Sequence, residues 1–252
     1  MNGFWQWWQQ LPSNISPVIL SVGSFELRWY GMMYIIAFAL TYILTQYRVK
    51  HENFDYSEET IENFFVWAIL GVLIGGRLGY VVFYNLPYYL NHPLEILLPV
   101  SFEGGFHFTG ISGMSYHGGV VGVLLAFIYI SKKYDVKFFR FAELVVPAIP
   151  LGYTFGRLGN FINGELYGRV TDVPLGMYFP GAPTHQLRHP SQLYEAAFEG
   201  VILFLIVWSL RRRSPFDGFL PGLYLMGYGI FRFFIEFYRQ PDAHLGHVVG
   251  FM

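Results

Sequence analysis

The chain has 252 residues, of which 54% are hydrophobic, 20% aromatic and only 13% charged, with a formal net charge of −1. Soluble domains carry about 25% charged residues, so this balance predicts a membrane protein, and the near-zero charge gives no reason to expect nucleic acid as a partner. The absence of cysteine excludes a disulfide scaffold, a thiolate nucleophile and a thiolate metal site.

The start, "MNGFWQWWQQLPSN", has neither the basic and apolar regions nor the cleavage site of a signal peptide. Its Trp5, Trp7 and Trp8 predict a segment lying at the headgroup level of a bilayer. A crossing helix needs about 20 mostly apolar residues. Six segments qualify as spans: Trp29–Tyr47, Phe64–Tyr84, His117–Ser131, Phe138–Phe155, Leu193–Leu210 and Phe219–Phe237. The third is short unless it begins in the preceding glycine-rich stretch. The fourth is weakened by Glu143, Pro147 and Pro150, which predict a kink. A further interfacial helix is expected at 86–100. No repeat, low-complexity tract or linker interrupts the pattern, so the expectation is one all-α, polytopic membrane domain over residues 1–252.

Charge sets the orientation. Arg48 and Lys50 follow the first span; Lys132, Lys133, Lys137 and Arg140 follow the third; Arg211, Arg212 and Arg213 follow the fifth. These are nine of the sixteen basic residues and include every lysine. Alternate loops are therefore basic, and the positive-inside rule makes them cytoplasmic. The N-terminus, residues 85–116, residues 159–192 and the C-terminus then lie outside. The other seven basic residues are all arginine: Arg28, Arg77, Arg157, Arg169, Arg188, Arg232 and Arg239. Arg77, Arg157 and Arg232 fall within or at the ends of apolar runs, where a charge costs roughly 2.5–3.5 kcal/mol on insertion scales and needs a partner or a task. Arginine suits a fixed, two-pronged hold on phosphate or carboxylate.

The stretch "GRLGNFINGELYG" at 156–168 begins at the outer end of the fourth span and mixes Arg157, Asn160, Asn163 and Glu165 with four glycines. Its polar groups cannot face lipid. One reading is a polar cap on a broken helix end, with Arg157 and Glu165 paired. The other is a site, and here the stretch closely resembles the signature of the bacterial prolipoprotein diacylglyceryl transferases. Further blocks are similar to that family in the family's order: "RWYGMMY" at 28–34, "GGRLGYVVFYN" at 75–85, "GGFHFTGISGMSYHGG" at 104–119, "RHPSQLYEAAFEG" at 188–200 and "GYGIFRFFIEFYRQPD" at 227–242. The family's last helix follows "RQPD", and the ten residues after Asp242 hold no counterpart, so six spans are expected.

The resemblance implies transfer of a diacylglyceryl group from phosphatidylglycerol to the lipobox cysteine thiol of a prolipoprotein, at the outer face of the bacterial cytoplasmic membrane. It places the family's essential histidine on His117, which would take the thiol proton, as histidine can near neutral pH. It places phosphate-holding arginines on Arg157 and Arg239. The bland reading pairs those two with Glu165 and Glu236. Supporting substrate-binding roles fall on Tyr30, Asn160, Glu165, Gly168, Tyr228, Arg232 and Glu236, with Arg232 and Glu236 spaced for an intrahelical pair. Arg77 is expected to organise helix packing. His185, His189, His244 and His247 make no metal site, since Pro183 and Pro190 argue against a helix around the first two. The implied carbon–oxygen cleavage needs no metal or cofactor if arginines stabilise the phosphate.

Two rivals are weaker. "GISG" at 110–113, with Ser112, matches the nucleophile pattern of rhomboid intramembrane proteases, and "AHLG" at 243–246 resembles their histidine block. His244, however, follows a "QPD" turn instead of lying inside a late span. An anion transporter would show two related halves, and none is visible.

The orientation is directly testable because the background has no cysteine. A Lys132→Cys variant in intact spheroplasts is expected to resist a membrane-impermeant thiol reagent and to react after permeabilisation. Labelling before permeabilisation would invert the topology.

Overall fold

The computed structural model describes residues 3–23, 25–96, 100–101, 107–108 and 113–241. In chain order the elements are α1 (Gly3–Gln9), α2 (Leu11–Asn14), β1 (Val18–Val22), β2 (Phe25–Arg28), α3 (Trp29–His51), α4 (Glu58–Tyr84), α5 (Leu86–Asn91), β3 (Val100–Ser101), β4 (His107–Phe108), α6 (Tyr116–Lys133), α7 (Phe138–Val145), α8 (Ile149–Asn163), α9 (Ser191–Glu195), α10 (Leu203–Leu210) and α11 (Phe219–Glu236). The strands form two small antiparallel ribbons, β1 with β2 and β3 with β4. The other elements are helices.

Among the described residues four helical stretches are long and apolar enough to cross a membrane: Trp29–His51, Glu58–Tyr84, Phe138–Ile162 and Ser191–Leu210. They contain the first, second, fourth and fifth expected spans. The expected third and sixth correspond to α6 and α11, 18 residues each, which are outside that set. The end of α6 carries Lys132 and Lys133, and α11 holds Arg232 and Glu236. The fourth stretch is interrupted as its prolines require: a 3-10 turn at Val146–Ala148 separates α7 from α8. The helix then continues beyond Phe155 to Asn163, so Arg157, Asn160 and Asn163 lie on helix and not in a loop. Of the expected interfacial helix at 86–100, α5 and a 3-10 turn at Pro93–Ile96 form, while residues 97–99 lie outside the described part.

The chain divides into two compact units. One comprises residues 1–52 and 143–252, the other residues 53–142. In the first, α3 packs along α8 because small residues admit close approach: Gly152 faces Ala37 and Thr41, and Gly159 faces Tyr30 and Met33. The end of this unit that carries basic loop residues is fixed by a buried polar network. Arg48 is fully buried, donates to the Glu143 and Leu144 carbonyls at 2.6 and 2.7 Å, and pairs with Glu52 at 2.8 Å. Arg211 meets the other oxygen of Glu52 at 2.9 Å. Glu143 weakens its span on paper, yet its carboxylate accepts from the Gly218 and Leu220 amides at 2.9 and 3.1 Å and so caps the start of α11. Arg48 and Arg211 are thus structural ties as well as positive loop charges. The N-terminus is tied down too. Trp8 Nε1 donates to Leu175 O at 3.0 Å and the Tyr178 amide to Gln9 O at 2.9 Å, while Phe4 and Trp7 stay exposed.

In the second unit α4 and α6 meet along glycines. A Cβ at Gly122 would overlap the Gly71 carbonyl, and one at Gly118 would overlap that of Gly75. Backbone-to-backbone contact of this kind is the way apolar helices associate where lipid supplies no hydrophobic drive. Towards the basic loop the pair is closed by Phe64, Phe127 and Phe141, whose ring centroids lie 4.4–5.7 Å apart. Arg77 does organise packing: it donates to the Ile96 and Glu95 carbonyls at 2.7 and 2.5 Å and lies over the Tyr89 ring. α6 begins at a Ser115 cap whose hydroxyl accepts from the Gly118 amide at 3.3 Å, placing His117 in the first turn.

Gly122→Ala is expected to lower stability by about 1–3 kcal/mol, because two backbones would have to separate. Gly31→Ala, with nothing within 4 Å, is expected to be neutral or slightly stabilising. Thermal unfolding of both variants in detergent checks the contrast; equal effects would contradict the packing.

Candidate active site

The final two turns of α8 present Arg157 and Asn160 inward, and the helix ends at Gly164 with φ 70°, a left-handed turn that glycine adopts without strain. The turn folds Glu165 back so that its carboxylate accepts from Asn160 Nδ2 at 2.8 Å. Leu166 follows with φ 56°, uncommon for a branched residue. It is held there by Ser191 Oγ, which donates to its carbonyl at 2.9 Å, and by Gln192 Nε2, which donates to the Glu165 carbonyl at 2.5 Å. Gly168 has a packing reason. Its amide donates to His189 O at 2.8 Å, and a Cβ there would collide with the Tyr238 carbonyl and the His189 side chain. Arg169 N donates to Tyr238 O at 2.8 Å and Arg169 Nε to Arg239 O at 2.9 Å. The segment after α11 is thereby laid against the segment after α8.

At the centre lies Glu195, the last residue of α9, with no exposed surface. Its Oε2 is 2.7 Å from Arg157 Nε, and its Oε1 is 3.1 Å from Arg232 Nη1 and 3.7 Å from Arg239 Nε. Three guanidinium groups from two helices and one C-terminal segment therefore share one carboxylate. Glu236 is the second counter-charge, 2.7 Å from Arg232 Nη2 and 3.9 Å from Arg239 Nη1. Counting these two carboxylates, three cations face two anions. Arg157 Nε donates to Tyr153 Oη at 2.7 Å, and Tyr153 in turn donates to the buried Glu199. Arg157 Nη1 reaches Asn160 Oδ1 at a loose 3.4 Å, and Nη2 has no hydrogen-bond partner among the described residues. The guanidinium is anchored by one edge and offers the other.

Below α9 the helix widens into a π-helical turn at Ala196–Ile202, a feature often found at functional sites. Gly200 in this turn presses on Thr154, which sets the turn against α8. Arg157 and Glu143 sit 14 residues apart along the α7–α8 stretch, about 20 Å at the helical rise, so the arginine cluster and the basic-loop network occupy opposite ends of it.

Most residues expected at the site in this unit converge. Arg157, Arg232, Arg239 and Glu236 form the cluster; Asn160 and Glu165 pair beside it. Tyr30 packs on Gly159, interacts with Asn160 and Glu165, and shares a hydrogen bond with Tyr34 at 3.2 Å. Tyr228 stands edge-on to Tyr153 at 6.0 Å. Arg157 does not pair with Glu165 as the bland reading would have it, because Glu195 takes that place. His117 belongs to the second unit, where it is exposed and edge-on to Tyr116. His185 and His189 are in irregular segments, and burial holds the His189 imidazole below its ordinary pKa. Ser112, His244 and His247 lie outside the described residues. Sequence reasoning missed Glu195, Glu199 and Tyr153. The signal was present: two glutamates four apart inside an apolar run are the natural partners for intramembrane arginines.

Comparison with known proteins decides the family. The prolipoprotein diacylglyceryl transferase family matches residues 17–252. The chain belongs to this family. It is 54% identical to the phosphatidylglycerol–prolipoprotein diacylglyceryl transferase of Chlorobaculum tepidum, over 98% of this chain and 86% of the relative. It is 45% identical to the enzymes of the same name from Treponema denticola (96% of this chain, 83% of the relative) and Bordetella avium (95% and 87%). A prolipoprotein diacylglyceryl transferase is a transferase and a membrane protein, and the rhomboid and transporter readings are set aside by this membership.

Proposed function

We propose that this chain transfers the diacylglyceryl group of phosphatidylglycerol to the cysteine thiol of a prolipoprotein lipobox, at the outer face of the bacterial inner membrane. The observation that carries the reading is the arginine cluster on Glu195 with the open edge of Arg157. Such a cluster suits a phosphodiester headgroup at the membrane surface. The outer-face assignment is supported by the alternation of basic loops and by the position of the cluster, opposite the basic-loop network along α7–α8.

The thiol sulfur attacks the glyceryl CH₂ that bears the phosphate. A carbon–sulfur bond forms, the carbon–oxygen bond breaks, and its electron pair goes to the phosphate oxygen. The thiol proton passes to His117 as general base. The leaving glycerol phosphate gains one negative charge in this step, and Arg157 with Arg239 stabilises that charge as it develops. Arg232, tied to both Glu195 and Glu236, holds the cluster's shape. Tyr30, Asn160, Glu165, Gly168 and Tyr228 have supporting substrate-binding roles around Arg157. No enzyme nucleophile is required, in keeping with a chain that has no cysteine.

Mass spectrometry of a synthetic lipobox peptide incubated with the purified protein and phosphatidylglycerol tests the function: one diacylglyceryl adduct on the cysteine and free glycerol phosphate are expected, and neither product would refute it. In the same assay His117→Gln is expected to lose about 10²–10⁴-fold in rate near neutral pH, with recovery at alkaline pH where the substrate thiol ionises unaided. Arg157→Lys should lose about tenfold to a hundredfold, because an ammonium cannot keep the Tyr153 bond and present a second donor edge. A lysine variant at near-normal rate would return Arg157 to a structural role.

A further inference from the structure

Glu195 is not among the groups that meet either substrate in the reaction above, yet it is the point where the arginines meet. It has no exposed surface, and the three guanidinium groups around it keep only 13–24% of theirs. Each arises from a different place: Arg157 from α8, Arg232 from α11, Arg239 from the segment that follows α11. Without a shared anion, like charges this close repel by several kcal/mol per pair at an effective dielectric of about 20. The two oxygens also divide the work. Oε2 faces Arg157 alone, at 2.7 Å, while Oε1 faces Arg232 and Arg239, at 3.1 and 3.7 Å. The contact with Arg157 is an ion pair without an aligned hydrogen bond, since Nε points its hydrogen at Tyr153. Glu195 therefore draws Arg157 inward by charge and leaves its donors to be directed by Tyr153 and Asn160.

We propose that Glu195 is a positioning residue of the transfer reaction: it holds the three guanidinium groups at the spacing in which they receive the departing phosphate, and it does so without touching substrate. The inference rests on the function proposed above. Its consequence separates affinity from rate. Ground-state affinity for an anionic lipid follows the net charge of the cluster, and removing Glu195 makes that charge more positive. The rate follows the placement of the donors, where a displacement of about 1 Å costs on the order of a hundredfold. A residue that only stabilises the fold would instead weaken binding and turnover together.

The test uses the full-length protein in detergent with dihexanoyl-phosphatidylglycerol and a lipobox peptide, and it reports turnover per lipid-binding site so that unfolded protein does not count. Glu195→Gln is expected to lower kcat at least about tenfold while KM for the lipid stays the same or falls. Glu195→Asp, which keeps the charge but shortens the reach, is expected to retain the wild-type KM and to recover part of kcat. Where the glutamine variant does not fold, the aspartate variant alone decides, by a reduced kcat at unchanged KM. A glutamine variant with wild-type kcat, or one whose KM rises as kcat falls, would overturn the inference while leaving the function standing. A wild-type protein that makes no adduct would overturn the function, and this inference with it.

Discussion

One buried carboxylate shared by three guanidinium groups is the constraint on which the site-bearing unit depends. Intramembrane charge is costly, and a buried pair gains only when its geometry is good and its remaining donors are satisfied. Glu195 lies where α8, α9 and the segment after α11 come together, and several local features serve to bring them there. The left-handed turn at Gly164 reverses the chain after α8. The close approach at Gly168 lays the strand-like segment beside Tyr238 and Arg239. Gly200 lets the π-helical turn sit on Thr154. Gly168 and Gly200 sit where a side chain would hold apart two segments that must touch, and Gly164 takes a left-handed backbone that glycine adopts without strain.

The same logic operates at the opposite end, with a different purpose. There Arg48, Glu52 and Arg211 form a closed set, and Glu143 spends its carboxylate on the amides that open α11. Arg48 Nε, Nη1 and Nη2 all end on protein acceptors. At the other end Arg157 keeps a donor edge open, and cations outnumber the two carboxylates that bind them. Two charged networks in one apolar unit thus differ in closure, and the proposed function assigns the phosphate to the less closed of the two.

What was legible in the sequence follows from what is local. Four spans appear where apolar runs predict them, Arg232 and Glu236 pair at the expected four-residue spacing, and Pro147 and Pro150 coincide with a break in helix geometry. The fixed order of Gly, Arg, Asn and Glu in residues 156–168 pointed to the family before any coordinates, because a long polar motif in an apolar chain is seldom accidental. What was not legible is long-range. Arg157 and Glu195 are 38 positions apart, and no periodicity relates them; the nearer Glu165 looked like the partner and proved to be occupied by Asn160. Gly168 reads as part of a chemical signature, and the backbone approach of two distant segments, a second reason for a glycine there, is visible only in the fold. The extension of α8 through Asn163 is also not legible, since Gly159 gains its packing reason only from Tyr30 and Met33 on the distant α3. Glycine in a membrane helix marks contact as often as it marks a turn.

The arrangement bears on how a membrane enzyme can cleave a carbon–oxygen bond without a nucleophile of its own. The leaving group begins as a monoanionic diester and departs with one more charge, so the transition state differs from the ground state chiefly in charge at the phosphate. A site that answered with loose cations would bind the lipid tightly and gain little in rate, because both states would profit from attraction. Cations whose positions are fixed beforehand by a buried carboxylate, by Tyr153 and by Glu236 can be set for the later state, with their reorganisation already complete. The low dielectric of the bilayer strengthens that preference, since the same separation is worth several times more there than in water. On the proposed mechanism, burial of the cluster, which looks like a liability on an insertion scale, is the source of its selectivity for the charge that appears during transfer.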